Sequence, residues 1–149
     1  MAAKADNYRR MVNTVNKVIV RLQRLGIAFG QMQLLTVPGR RSGEPRTFPL
    51  AVLDLTGGRY IVQAFPKAAW VLNARAADTA ALRRGRHEST VRLVEVPVAE
   101  RGPLLRELVA SSPASVGKRY VTTGLAEAPT PDGVAASADR IAVFRIDPV

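Results

Sequence analysis

The sequence predicts a mainly β, α+β fold in which short antiparallel strands close into a small barrel with helices on its outside. Three observations carry this expectation. After Phe29 the chain breaks into short β-like runs separated by Gly- and Pro-containing turns. No strand–helix–strand alternation points to a parallel sheet. A set of many short strands also leaves exposed edges, which closure removes. With 149 residues, 47% of them apolar, the chain fits a single domain over 1–149 with a sizeable core.

The elements follow in order. From Tyr8 to Leu25, the residues Met11, Val12, Val15, Val18, Ile19, Leu22 and Leu25 recur at helical spacing, and Gly26 follows as a stop. Arg9, Arg10, Lys17, Arg21 and Arg24 fall mostly between them, so residues 1–28 read as an N-terminal, basic, amphipathic helical segment. Such a helix fits two roles, as cover for one sheet face or as a peripheral grip on an anionic membrane. Gln33–Val37 is the first strand and Arg46–Leu55 the second, and the Thr56-Gly57-Gly58 turn leads into a third over Arg59–Ala64. Ala68–Ala77, which holds Trp70, reads as a short helix. Thr79–Arg83 and Glu88–Pro97 follow as strands around the Arg84-Gly85-Arg86 turn. Glu100–Ser111 is a helix with Leu104, Leu105, Leu108 and Val109 on one stripe and Pro103 in its first turn. Residues 125–138, rich in Ala and Pro, read as an extended loop, and Ile141–Ile146 closes the chain as a strand. The sum is about six strands with, beyond the N-terminal helix, one or two peripheral helices.

Charge and composition narrow the chemistry. Lys and Arg number 22 against 12 Asp and Glu, a net charge of +10, which predicts an anionic partner. The chain has no cysteine and one histidine. That excludes disulfides, a thiolate nucleophile, iron–sulfur clusters and multi-His metal sites, and a Ser-His-Asp triad could use only His87. No metal centre is expected. The start, MAAKADNYRR, lacks the apolar run of a signal peptide, and no stretch approaches ~18 apolar residues. The expected location is cytoplasmic, membrane-peripheral if the N-terminal helix meets lipid. Nucleic acid is not an expected partner. The three Tyr, four Phe and one Trp form no stacking cluster, and no helix-turn-helix or zinc signature is present.

The stretch Gly39-Arg40-Arg41-Ser42-Gly43-Glu44-Pro45-Arg46-Thr47-Phe48-Pro49-Leu50 carries the most chemistry. Its glycines let the backbone turn sharply and bring amide N–H groups up to an anion. Arg40, Arg41 and Arg46 supply guanidinium forks that pair bidentately with phosphate or carboxylate oxygens, and Ser42 and Thr47 add hydroxyl donors. The spacing is not that of a Walker loop. Taken alone, the stretch also fits a solvated basic hairpin.

The wider pattern LLTVPGRRSGEPRTFPL, with a Gly-Gly-Arg-Tyr hairpin and then Trp70-Val71-Leu72-Asn73, resembles the deazaflavin-dependent nitroreductase family. These are small split β-barrel oxidoreductases of actinobacterial type that bind coenzyme F420, an 8-hydroxy-5-deazaflavin. The match runs through Leu35, Thr36, Gly39, Arg40, Arg41, Ser42, Gly43, Arg46, Pro49 and Leu50, then Trp70 and Asn73, within Val18–Val96. The resemblance implies an FMN-binding-like split barrel and hydride transfer from reduced coenzyme to an electron-poor acceptor: a quinone, a nitroaromatic or an activated alkene. It also implies that Arg40, Arg41, Ser42, Gly43 and Arg46 hold the coenzyme's phosphodiester and oligoglutamate tail. Thr47 and Pro49 would line the path to the ring, Lys67 would match the family's basic residue after the third strand, and Trp70 and Asn73 would shape the pocket. Tyr120 falls where the family carries substrate-side tyrosines and is the candidate proton donor. FMN is the alternative cofactor, a basic nucleic-acid-binding module without catalysis the alternative function, and a homodimer the expected assembly.

Overall fold

The computed structural model describes residues 32–149. The expected helix over Tyr8–Leu25 lies outside the described residues. Seven strands, β1 (Met32–Pro38), β2 (Pro45–Ala51), β3 (Leu53–Leu55), β4 (Gly58–Val62), β5 (Ala80–Arg84), β6 (His87–Glu95) and β7 (Val143–Pro148), form one sheet in the order β2-β1-β5-β6-β7-β4-β3. Every pairing is antiparallel. The helices are α1 (Ala69–Ala76), α2 (Val98–Ala110), α3 (Ala114–Thr122) and α4 (Pro131–Ala135), with a 3-10 turn over Ala138–Arg140.

The connectivity forces the sheet to curl. Strands β2 and β3 are the two edges of the sheet, yet only Val52 separates them in sequence. Laid flat, seven strands would hold their edges about 29 Å apart. A one-residue link spans about 7 Å. The sheet therefore closes on itself as a split barrel, and Val52 turns into the core at the crossing. Pro45 and Pro49 fit this placement, because an edge strand tolerates residues that cannot donate to a ladder.

Alternation along the strands builds two cores. The barrel interior takes Leu35 and Val37 from β1, Ile61 from β4, Leu82 from β5, Phe144 and Ile146 from β7, and Trp70, Val71 and Ala74 from α1. The Trp70 and Phe144 rings meet there with centroids 5.6 Å apart and planes tilted by 58°. Tyr60 and Val143, each next in sequence to an interior residue, point the other way. They pack under Leu105, Leu108 and Val109 of α2, Tyr120 of α3, and Val134 and Ala135 of α4.

Several expectations are corrected. The run Arg46–Leu55 is two strands, because the chain leaves one edge at Val52 to begin the other. Helix α2 starts at Val98, behind Pro97, whose carbonyl accepts the Glu100 N–H at 2.9 Å, so Pro103 lies in the second turn and not the first. Helix α3 was not expected. Residues 125–138 are not an extended loop: Leu125, Ala126, Val134 and Ala135 are buried, and α4 and the 3-10 turn lie within or overlap the segment. At the start of α4, the Thr130 hydroxyl accepts the Gly133 N–H at 3.0 Å and Pro131 occupies the first turn.

Candidate functional site

The β1–β2 hairpin is closed by two backbone bonds, Gly39 N–H to the Glu44 carbonyl and Gly43 N–H to the Gly39 carbonyl, each 2.8 Å. Gly43 has φ of 74°, in the left-handed region that glycine adopts without strain. Ser42 Oγ accepts the Glu44 N–H at 3.2 Å, which stiffens the tip. A Cβ on Gly39 would sit 3.0 Å from Ser42 Oγ and 3.3 Å from the Glu44 carbonyl oxygen, so the narrow loop has little room for a side chain there.

Helix α1 fixes the hairpin from behind. Trp70, Asn73 and Ala74 occupy positions i, i+3 and i+4 and form its buried face. Asn73 is 4% exposed, and its Oδ1 accepts from the Arg40 backbone N–H at 3.2 Å and from Arg40 Nη1 at 3.0 Å. The hairpin is thus latched to a helix whose other buried residues plug the barrel. Lys67 is exposed one residue ahead of the Ala68 cap of the same helix. Its φ of 55° is the one positive value at a non-glycine among the described residues, a conformation that costs about 1–2 kcal/mol.

The structure brings some of the expected residues together and separates others. Arg40, Arg41, Ser42 and Gly43 share the tip, and Arg46 stands at the neck, its Nε 3.6 Å from where a Gly39 Cβ would stand. Strand alternation divides the next residues. Phe48 and Leu50 pack against the barrel interior, so Arg46 shares their face, whereas Thr47 and Pro49 lie on the opposite face of β2. Thr47 Oγ1 is bonded to Thr36 Oγ1 at 2.9 Å. Thr47 and Pro49, expected to line the path to the ring, therefore face away from Arg46 across the pleat. Trp70 is a core residue against Phe144.

Tyr120 is not at this site. It is 3% exposed inside the outer core under α2, and burial pushes its phenol far above the ordinary value of 10.0. A hydroxyl so placed does not face an acceptor, which corrects its reading as the proton donor. A cavity of about 370 Å³ opens between β6 and α2, lined by Glu95, Glu100, Glu107 and Arg145 among others. Its carboxylates suit no polyanion, and it shares no residue with the hairpin. Among the described residues no group of three or more His, Cys, Asp or Glu could hold a metal ion.

Sequence reasoning missed one polar network beside the site. Arg101 of α2 is 5% exposed and donates to the carbonyls of Val96 (2.8 Å), Ala138 (3.1 Å) and Ile141 (3.3 Å) and to Glu95 Oε2 (3.0 Å). Glu95 also accepts from Arg75 of α1, at 2.7 Å from Nη2. The signal was present: Arg101 is in register with Leu105 and Leu108 on the apolar stripe of its helix.

Comparison with known proteins agrees with this architecture. A solved structure described as a domain-swapped dimer is 19% identical, covers 91% of this chain and 98% of its own, and superposes with a TM-score of 0.55. An F420-H2 dependent reductase (FDR-A) is 19% identical over 79% of this chain and 95% of its own, with a TM-score of 0.52. The protein Atu2129 of unknown function from Agrobacterium tumefaciens is 12% identical over 86% of this chain and 52% of its own, with a TM-score of 0.53. At such identities these likenesses show the fold alone. No match is found among curated proteins. The sequence pattern of one family, described as F420H(2)-dependent quinone reductase, matches residues 5–125. With most of its length matched, and with a split barrel beneath the match, the chain belongs to the F420H(2)-dependent quinone reductase family and is an oxidoreductase whose cofactor is coenzyme F420.

Proposed function

We propose that the β1–β2 hairpin grips the anionic tail of coenzyme F420 and that the barrel end beside it presents the coenzyme to a quinone. The guanidiniums of Arg40, Arg41 and Arg46, the Ser42 hydroxyl and the backbone at Gly43 are the contacts, with Lys67 adding charge from the start of α1. The observation that carries this reading is a missing counter-charge. Among the described residues, carboxylates pair with Arg75, Arg101, Arg106 and Arg145, and none pairs with an arginine of the hairpin. A phosphodiester and an oligoglutamate chain would supply that charge, each charge-assisted hydrogen bond contributing about 1.5–3 kcal/mol. The residues present therefore fit the coenzyme's tail.

When bound in its reduced form, the deazaflavin supplies a hydride. The chain's own part is to hold, orient and shield. The latch between Asn73 and Arg40 keeps the hairpin against α1, and Trp70 packed against Phe144 keeps α1 rigid against the barrel. As members of an edge strand, Thr47 and Pro49 would meet the coenzyme only where it wraps the sheet edge. The family name supports a quinone over a nitroaromatic or an activated alkene as acceptor. The neighbour described as a domain-swapped dimer supports a homodimer. The basic amphipathic pattern of residues 8–25 supports contact with an anionic membrane surface. No helix among the described residues is long and apolar enough to cross one.

The test is a fluorescence titration of the purified protein with coenzyme F420, followed by oxidation of the reduced coenzyme against a panel of quinones and nitroaromatics. Saturable quenching at micromolar coenzyme and turnover fastest with a quinone are expected. No fluorescence change, with FMN copurifying instead, would overturn the assignment of the site.

A further inference from the structure

Among the described residues, the side chain from outside the hairpin that bonds its tip is a neutral amide, and that choice of residue has an electrostatic consequence. We infer that Asn73 is a positioning residue: it orients Arg40 toward the bound anion while leaving the full charge of Arg40 available. The inference rests on the proposed coenzyme grip and adds to it the means by which the grip keeps its charge.

The geometry is specific. One atom, Asn73 Oδ1, accepts both the Arg40 backbone N–H at 3.2 Å and Arg40 Nη1 at 3.0 Å. The first bond fixes where the tip begins, and the second fixes which way the guanidinium points. Asn73 is buried on the inner face of α1, so the acceptor itself has little freedom, while Arg40 is exposed. A guanidinium has five N–H donors in a fixed fork, so a single bond from Nη1 leaves the other edge free for a bidentate partner.

The contrast within the same molecule makes the neutrality informative. Arg75 and Arg101 are also held in place, but by the Glu95 carboxylate, and Arg145 is held by Asp147. There the anchor cancels the charge it orients. At position 73 an aspartate has nearly the same shape as asparagine and could accept both bonds from Arg40. It would also place a permanent anion 3.0 Å from the nitrogen that is meant to attract one. An asparagine gives the alignment of a salt bridge without its neutralisation.

The experiment compares the wild type with Asn73→Asp, Asn73→Ala and Arg40→Met. It reads the dissociation constant of coenzyme F420 by fluorescence over a range of salt, together with the thermal midpoint without ligand. Screening weakens binding in proportion to the charges that face each other, so the salt slope counts them. The expected result for Asn73→Asp is a loss of about tenfold in affinity, with a salt slope lowered to that of Arg40→Met. Asn73→Ala should lose affinity severalfold while keeping the wild-type slope, because Arg40 is then loose but still charged. A merely structural Asn73 would move the midpoint and leave both slopes alike, which overturns the inference. Wild-type affinity in Asn73→Ala overturns it as well. If Asn73→Asp does not fold, Arg40→Met decides: a lowered slope supports the inference and an unchanged slope overturns it. Absence of coenzyme binding by the wild type overturns the grip itself, and with it the role of Asn73. Binding by the wild type with an unchanged Asn73→Asp overturns only the latter.

Discussion

The arginines of the hairpin and the arginines around Glu95 are the same residue put to opposite uses. Around Glu95, Arg101 is buried, and its donors are consumed by three carbonyls and a carboxylate that Arg75 shares. The result joins α1, β6, α2 and the 3-10 turn through one carboxylate. At the hairpin, Arg40, Arg41 and Arg46 have no carboxylate partner among the described residues, and Arg40 leans on a neutral amide. Between these two clusters, a cancelled charge goes with a structural role and an uncancelled one with the proposed binding role. A basic chain of net charge +10 has arginines enough for both.

The largest expected effect lies on the structural side. Arg101→Met removes the guanidinium and strands the Val96, Ala138 and Ile141 carbonyls while Glu95 keeps Arg75, and at about 1 kcal/mol or more for each stranded acceptor the cost is about 3 kcal/mol. For a chain of this size that is a fall of roughly 10 °C in the thermal midpoint, measured by circular dichroism. Coenzyme affinity, measured well below the transition, should stay within about twofold of the wild type. A midpoint that does not move would break the comparison from its structural end.

The mirror-image experiment is Arg41→Ala. Arg41 is exposed at the tip and holds no element in place, so the midpoint should stay within about 1 °C. Coenzyme affinity should fall by about tenfold, the equivalent of one charge-assisted contact of about 1.4 kcal/mol, and the loss should shrink as salt is raised. Equal affinity in the two proteins would show that the absent counter-charge has nothing to do with the coenzyme.

The same distinction explains what was legible in the sequence. The hairpin was legible because glycines and arginines at close spacing have few structural uses, and its residues are near neighbours along the chain. The helix that carries Trp70 and Asn73 was legible, although not that Asn73 reaches Arg40, 33 positions away. The position of Arg101 on the apolar stripe of its helix was legible, but its partners were not, since an arginine on a helix is normally solvated and they lie up to 40 positions away in sequence. The split at Val52 was hidden because both edge strands are β-like and local pattern holds no record of barrel closure. Helix α4 was hidden for the opposite reason: Thr130-Pro131-Asp132-Gly133 carries a helix-start signature written in residues that also punctuate loops.

The smallest expected effect separates the two regions by pH. Glu107 accepts from the Thr56 hydroxyl at 2.7 Å and from the Thr56 N–H at 3.1 Å, and these bonds hold its carboxyl below the ordinary 4.5. The Arg145 guanidinium likewise holds Asp147 below the ordinary 3.8. Carboxyls that titrate lower in the folded chain than in the unfolded one stabilise the fold above the unfolded value, and that contribution is lost as pH falls through the folded value. The thermal midpoint should therefore hold from neutral pH down to about 5 and decline below 4.5. Glu107→Gln keeps an acceptor for Thr56 but cannot ionise, so it should leave the neutral midpoint nearly unchanged and make the acid decline shallower. An identical decline in both proteins would remove Glu107 from the account. An arginine side chain does not lose its proton in water in this range. The ratio of affinities between the wild type and Arg41→Ala, which cancels the titration of the coenzyme's own ring hydroxyl, should then be flat from about pH 8 down to about pH 5, where the carboxylates of the coenzyme's tail stay ionised. A slope in that interval would mean that a titrating group of the protein, and not the arginine hairpin alone, faces the coenzyme.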